Sequence, residues 1–162
     1  MSKTPVLAPV EGRAIPLRDV PDRVFSQGIV GYGAAIDPPR RIVEAVAPTS
    51  GKILKLLPHA YIVMTPEKVG ILVHLGLDTV RLNGRGFVAH VGEGDTVAAG
   101  QVVITFDVPL VEAAGLNPVV PVVIMDETEP ANVIPSDAVI DGADIASREI
   151  LFTANTHHVD HR

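Results

Sequence analysis

Glycine and proline punctuate this chain so evenly that only short segments remain between them. Fourteen Gly and fourteen Pro are spread along the 162 residues, and runs of Val, Ile and Leu fill the intervals. Glycine supplies the positive φ of tight reversals and proline interrupts backbone pairing, so long helices are excluded and short strands fit. The pattern predicts an all-β fold, a single-domain antiparallel β-sandwich with one or two short helices. Strands are expected over Lys52–Leu57, His59–Met64, Val69–Leu75, Phe87–Val91, Val102–Phe106 and Val119–Met125, and a helix over Pro109–Ala114, closed by Gly115. Ala8-Pro9-Val10-Glu11-Gly12-Arg13 is echoed by Ala47-Pro48-Thr49-Ser50-Gly51-Lys52, which points to an internal duplication, each half of the sandwich contributing a similar unit. Beyond Glu127 the hydrophobic spacing weakens. The domain is therefore drawn over residues 1–150, with 151–162 a polar, disordered tail.

Composition removes several classes of function. With 47% hydrophobic residues the chain can bury a core of its own, yet no apolar run approaches the roughly 20 residues of a membrane helix. No basic and apolar leader opens it, so a cytoplasmic protein is expected, without stable membrane insertion. The absence of cysteine excludes disulfides, thiol catalysis and Cys-ligated metal. A net charge of -6 argues against nucleic acid as a partner, while leaving basic proteins open.

Chemistry must then rest on His, Asp, Glu or Ser, and the most informative segment runs from His59 to His74. It reads as a β-hairpin. If the reversal is centred between Pro66 and Glu67, His59 faces His74, with Cβ atoms about 4.5–5.5 Å apart. Val63 and Leu72 then share the histidine face, and Ile62, Val73 and Leu75 point to the core. Two opposed imidazoles, with Asp78 four residues on, allow three readings: a hydrogen-bonded structural pair, a metal site, or a phosphoryl relay in which one neutral imidazole is the nucleophile. Spacing does not choose among them.

The stretch Val73-His74-Leu75-Gly76-Leu77-Asp78-Thr79-Val80, followed by Leu82-Asn83-Gly84-Arg85-Gly86-Phe87, resembles the phosphorylation-site region of glucose-type enzyme IIA domains of the bacterial phosphoenolpyruvate:sugar phosphotransferase system. The similarity extends from about residue 6 to about residue 125, through Val20-Pro21-Asp22-Arg23-Val24-Phe25, Gly28-Ile29-Val30-Gly31, Gly94-Asp95-Thr96-Val97 and Phe106-Asp107-Val108-Pro109-Leu110. The resemblance implies a phosphocarrier, phosphorylated on His74, with His59 stabilising the phosphoryl group and Asp22 and Asp78 as supporting carboxylates. It implies an apolar docking face of Phe25, Ile29, Val30, Leu72 and Val80. The donor would be phospho-HPr and the acceptor the IIB domain of a sugar permease, with regulatory protein partners as in some relatives. No cofactor is implied, although zinc can bind the histidine pair when a partner supplies a carboxylate. Two departures stand out. A family Thr two residues before the supporting histidine is Leu57 here, and aromatic residues of the docking face are Lys55 and Leu72.

The principal alternative is a zinc-dependent hydrolase of lysostaphin-like type, suggested by His74 and Asp78 in H-x-x-x-D. It needs a further His-x-His pair, and His90 stands alone. A lipoyl- or biotinyl-type carrier, suggested by Val91 to Gln101, lacks the Lys that would bear the cofactor. The sugar is not written in this chain, because selectivity belongs to the permease; glucose and N-acetylglucosamine both fit.

Overall fold

The computed structural model describes residues 2–156, folded into fourteen strands, all pairing antiparallel. They are β1 (Ser2–Leu7), β2 (Gly12–Pro16), β3 (Gly31–Asp37), β4 (Ile42–Val46), β5 (Gly51–Leu57), β6 (Ala60–Met64), β7 (Gly70–His74), β8 (Phe87–Ala89), β9 (Thr96–Val97), β10 (Val102–Asp107), β11 (Val120–Met125), β12 (Val133–Pro135), β13 (Asp144–Ile145) and β14 (Ile150–Thr156). Three α-helices, α1 (Arg23–Ser26), α2 (Val108–Ala113) and α3 (Asp137–Asp141), are short. The helix expected from Pro109 is α2, begun one residue earlier because Asp107 caps it through Leu110 N–H at 3.1 Å.

An eight-stranded sheet of order β13-β2-β3-β11-β7-β6-β5-β9 packs with two three-stranded sheets, β1-β14-β12 and β4-β10-β8. The orders are palindromic about a point between β11 and β7. The echoed Ala-Pro segments sit at matching places: Leu7 N–H donates to the Pro48 carbonyl at 2.8 Å, and Val46 N–H donates to the Pro9 carbonyl at 2.9 Å. Gly12 and Gly51 are equivalent too, since a Cβ on either would lie 2.2 Å from a neighbouring carbonyl oxygen, of Asp37 and Met64 respectively. Duplication is thus built into the backbone pairing as well as the sequence.

Strand alternation sorts side chains onto the two faces of the large sheet. Ala34, Ile36, Ile71, Val73, Val122 and Ile124 enter the main core with Phe106 and Phe152, all nearly or fully buried. Ala35, Leu72 and Val123 face the other way. There the connection from β2 to β3 lies over them, and its Leu17, Val20 and Phe25 close a second, smaller core. In the other half the corresponding connection, β5 to β6, is a two-residue turn, Pro58-His59. One half of the outer face is therefore roofed and the other is open.

Two expectations are corrected. The β6–β7 reversal is centred on Glu67, with three loop residues, Pro66, Glu67 and Lys68; Lys68 donates its N–H to the Thr65 carbonyl at 2.9 Å and takes φ 68°. His74 consequently pairs with Ala60, and His59 lies beyond the strand, its carbonyl accepting from Leu75 N–H at 2.7 Å. A slip of one residue exchanges faces, so Val63 is buried and Ile62 turns outward with Leu72 and His74. The second correction concerns the tail. Residues 150–156 form β14, paired with β1 from Ser2↔Thr156 to Leu7↔Ile150, and Leu151 and Phe152 are fully buried. The rest of the expected tail, 157–162, lies outside the described residues.

Candidate active site

His74 ends β7, and the chain turns immediately after it. Gly76, at φ 85°, aims its carbonyl back at the imidazole, where Nδ1 lies 2.6 Å from the oxygen. A carbonyl only accepts, so Nδ1 carries the hydrogen and the lone pair of the neutral ring is on Nε2. The turn is pinned on both sides: the Thr79 hydroxyl donates to the Leu75 carbonyl at 2.8 Å, and Leu77 N–H donates to the Asn117 carbonyl at 2.8 Å. Thr79 is fully buried, so its hydroxyl is committed to that bond. The Asn117 side chain accepts from Val119 N–H at 2.9 Å, fixing its own loop.

His59 reaches the same place from the Pro58-His59 turn. The two ring centroids are 5.1 Å apart at 74°, edge toward face, so the mispredicted register still brings the pair together. The Phe25 ring lies 5.3 Å from His74. Both imidazoles are held below the ordinary histidine pKa. For His59 the main cause is burial, followed by the charge of His74; for His74 it is burial, partly opposed by the Gly76 carbonyl, Asp22 and Asp78. Near neutral pH both rings are therefore uncharged, as a nitrogen nucleophile requires.

The carboxylates arrive by different routes. Asp22 caps α1, accepting from Val24 N–H at 2.9 Å, and Asp78 stands at φ 60° before the 3₁₀ turn Thr79–Leu82. Of the apolar residues carried over by resemblance, Ile29 and Val80 are 67% and 62% exposed, and Val30 and Leu72 are half-buried. Phe25 is not part of that surface. At 6% exposure it lies under it, wedged against His74 and the small core. Val24 is exposed on the same helix and was not singled out from the sequence; its place opposite buried Phe25 was the available signal. Lys55 and Leu72 stand in one row across β5, β6 and β7, with Ile62 between them.

The metal-hydrolase reading loses its ligand set here. Among the described residues no group of three or more His, Asp or Glu side chains is placed to hold a metal ion. His90 instead pairs its Nε2 with the Thr105 hydroxyl at 2.6 Å.

Comparison with known proteins decides the family. Residues 4–129 match the family described as phosphoenolpyruvate-dependent sugar phosphotransferase system, EIIA 1. The chain belongs to it. A glucose-specific EIIA component of Halalkalibacterium halodurans is 42% identical over 121 residues, covering 74% of this chain and 69% of that protein. One from Oceanobacillus iheyensis is 40% identical over 121 residues, covering 74% and 72%. The glucosamine-specific EIICBA component of Bacillus subtilis is 40% identical over 123 residues, 75% of this chain but 19% of that protein. Among solved structures, glucose permease IIA from Mycoplasma capricolum superposes with a TM-score of 0.82 at 31% identity, over 94% of this chain and 96% of that one. The EIIA domain described here is thus a phosphocarrier that moves phosphoryl groups between components of the phosphotransferase system, with HPr and IIB components as its partners. None of its described helices is long and apolar enough to cross a membrane.

Proposed function

We propose that Nε2 of His74 is the atom that carries the phosphoryl group. The observation behind this reading is the Nδ1–H donation to the Gly76 carbonyl, which leaves Nε2 as the one basic nitrogen of the ring. In the forward step the N–P bond of phospho-HPr breaks as the Nε2–P bond forms, and the HPr histidine leaves with its electron pair. In the next step a IIB acceptor repeats the displacement on phospho-His74. No water enters either step, and the loose transition state leaves the protein mainly the work of alignment and charge stabilisation. His59, neutral and in ring contact, donates a hydrogen bond to a phosphoryl oxygen. Asp22 and Asp78, whose charges act on His74, are the supporting carboxylates that bias how the phosphoryl group and basic partners are seated. The exposed Ile29 and Val80, with Val30 and Leu72 between them and the small core, form the docking face, and Phe25 braces His74 from beneath.

The reaction takes place in the cytoplasm, and the sugar is set by the permease: the relatives include glucose-specific and glucosamine-specific proteins. Incubation with phospho-HPr tests the assignment. The parent should become labelled and His74→Gln should not; undiminished labelling of His74→Gln refutes it. His59→Gln should accept the label and pass it on slowly to a IIB domain.

A further inference from the structure

His59 is 7% exposed, yet among the described residues no side-chain hydrogen bond reaches its ring. The position two residues earlier, from which a hydroxyl could hold it, is Leu57, and that residue is 39% exposed. Something else must fix the ring, because a supporting group that swings freely loses most of its value in a transfer that depends on alignment. The ring contacts show what does. Besides His74, His59 has the Phe87 ring as a neighbour, 6.5 Å away at 63°, edge toward face. Phe87 is itself stacked on Phe106 at 5.5 Å and 15°, and the two residues are cross-strand partners in β8 and β10. Phe106 is fully buried in the main core. Five rings thus form a chain of successive contacts, Phe106, Phe87, His59, His74 and Phe25, that joins the large core to the small one through the active site.

We infer that Phe87 is a positioning residue for His59, holding by ring contact the imidazole that no hydroxyl holds in this chain. The inference rests on the supporting role proposed for His59. Edge-to-face contact fixes the plane of the ring while leaving both nitrogens unclaimed, so His59 can present an N–H to the phosphoryl group without first breaking a hydrogen bond. Replacing the ring by an aliphatic chain of similar reach removes that restraint and leaves His74, held by Gly76, untouched.

The test compares single-turnover transfer from phosphorylated protein to a IIB domain in the parent, Phe87→Leu, Phe87→Tyr, His59→Gln and the Phe87→Leu/His59→Gln double variant. Labelling by phospho-HPr is measured alongside. Phe87→Leu should slow onward transfer by on the order of tenfold with labelling within about twofold of the parent, and Phe87→Tyr should keep the parental rate. In the His59→Gln background Phe87→Leu should have no further effect, because its only route to the chemistry is gone. The same fold loss in both backgrounds, or parental transfer by Phe87→Leu, overturns the inference. Parental transfer by His59→Gln refutes instead the role given to His59. Should Phe87→Leu fail to fold, proton NMR of the parent still decides: nuclear Overhauser contacts between the His59 and Phe87 rings are expected, and their absence overturns the inference.

Discussion

Gly76 occupies the point where backbone geometry and chemistry coincide, and Gly76→Ala separates them. At φ 85° an alanine pays the left-handed penalty of about 1–2 kcal/mol. Its Cβ would also stand 2.6 Å from Thr79 Cγ2 and 3.2 Å from the Asn117 carbonyl oxygen, in a region where Thr79 is fully buried. Overpacking of that kind adds about 1–3 kcal/mol, for a total of about 2–5 kcal/mol. For a chain of this size that corresponds to a fall in Tm of roughly 4–20 °C, at about 2–4 °C per kcal/mol. Part of the loss should be recoverable. Thr79→Ser removes the methyl group that collides with the new Cβ and keeps the hydroxyl bonded to the Leu75 carbonyl. Urea unfolding of the parent, the two single variants and the double variant should give a favourable coupling of up to about 1–3 kcal/mol, the steric share, with the φ penalty remaining. Labelling by phospho-HPr should fall in Gly76→Ala, because the carbonyl that fixes Nδ1 of His74 moves with the turn. Strict additivity of the two substitutions would refute the steric reasoning, and full labelling of Gly76→Ala would show that the carbonyl does not orient the ring.

Two other predictions follow from the same geometry. The unfolded chain has histidines near the ordinary pKa of about 6.5, whereas folded His59 and His74 lie below it, so as pH falls through about 6.5 the unfolded state binds more protons. Stability should therefore drop as pH falls through that value, with a shallower drop in His74→Gln; an unchanged pH slope in thermal unfolding of that variant would contradict the assignment. Truncation after residue 150 removes the fully buried Leu151 and Phe152 and the partner of β1, and should cost more than the roughly 3–5 kcal/mol of a single large core deletion. Truncation after residue 156 keeps those contacts, and circular dichroism melts should separate the two sharply.

Much of this architecture could be read before any coordinates, and the failures have local causes. The Ala8-Pro9 and Ala47-Pro48 echo reported the duplication because both copies make the same backbone bond and need the same residues for it. The proximity of His59 and His74 was legible because a hairpin of any nearby register brings its two ends together. The register itself was not, since the third loop residue is Lys68 in a left-handed conformation that sequence alone assigns to glycine. That single residue exchanged Ile62 and Val63 between faces. β14 escaped notice because its partner is at the opposite end of the chain and a short alternating segment does not announce a distant pairing. The chain of ring contacts was invisible for the same reason: its five members come from residues 25 to 106 and share no spacing.

The palindrome of strands has a consequence for how this molecule tolerates change. Its backbone is specified twice, so equivalent sites such as Gly12 and Gly51 should be about equally intolerant of a side chain, whichever half they occupy. Its chemistry is specified once, at the corner where one connection shrank to two residues and the other grew into a roof. A map of substitutions scored by folding should look nearly two-fold about the line between β7 and β11. The same substitutions scored by phosphoryl transfer should cluster on one side of that line, and the difference between the two maps would trace the active site without any knowledge of its residues.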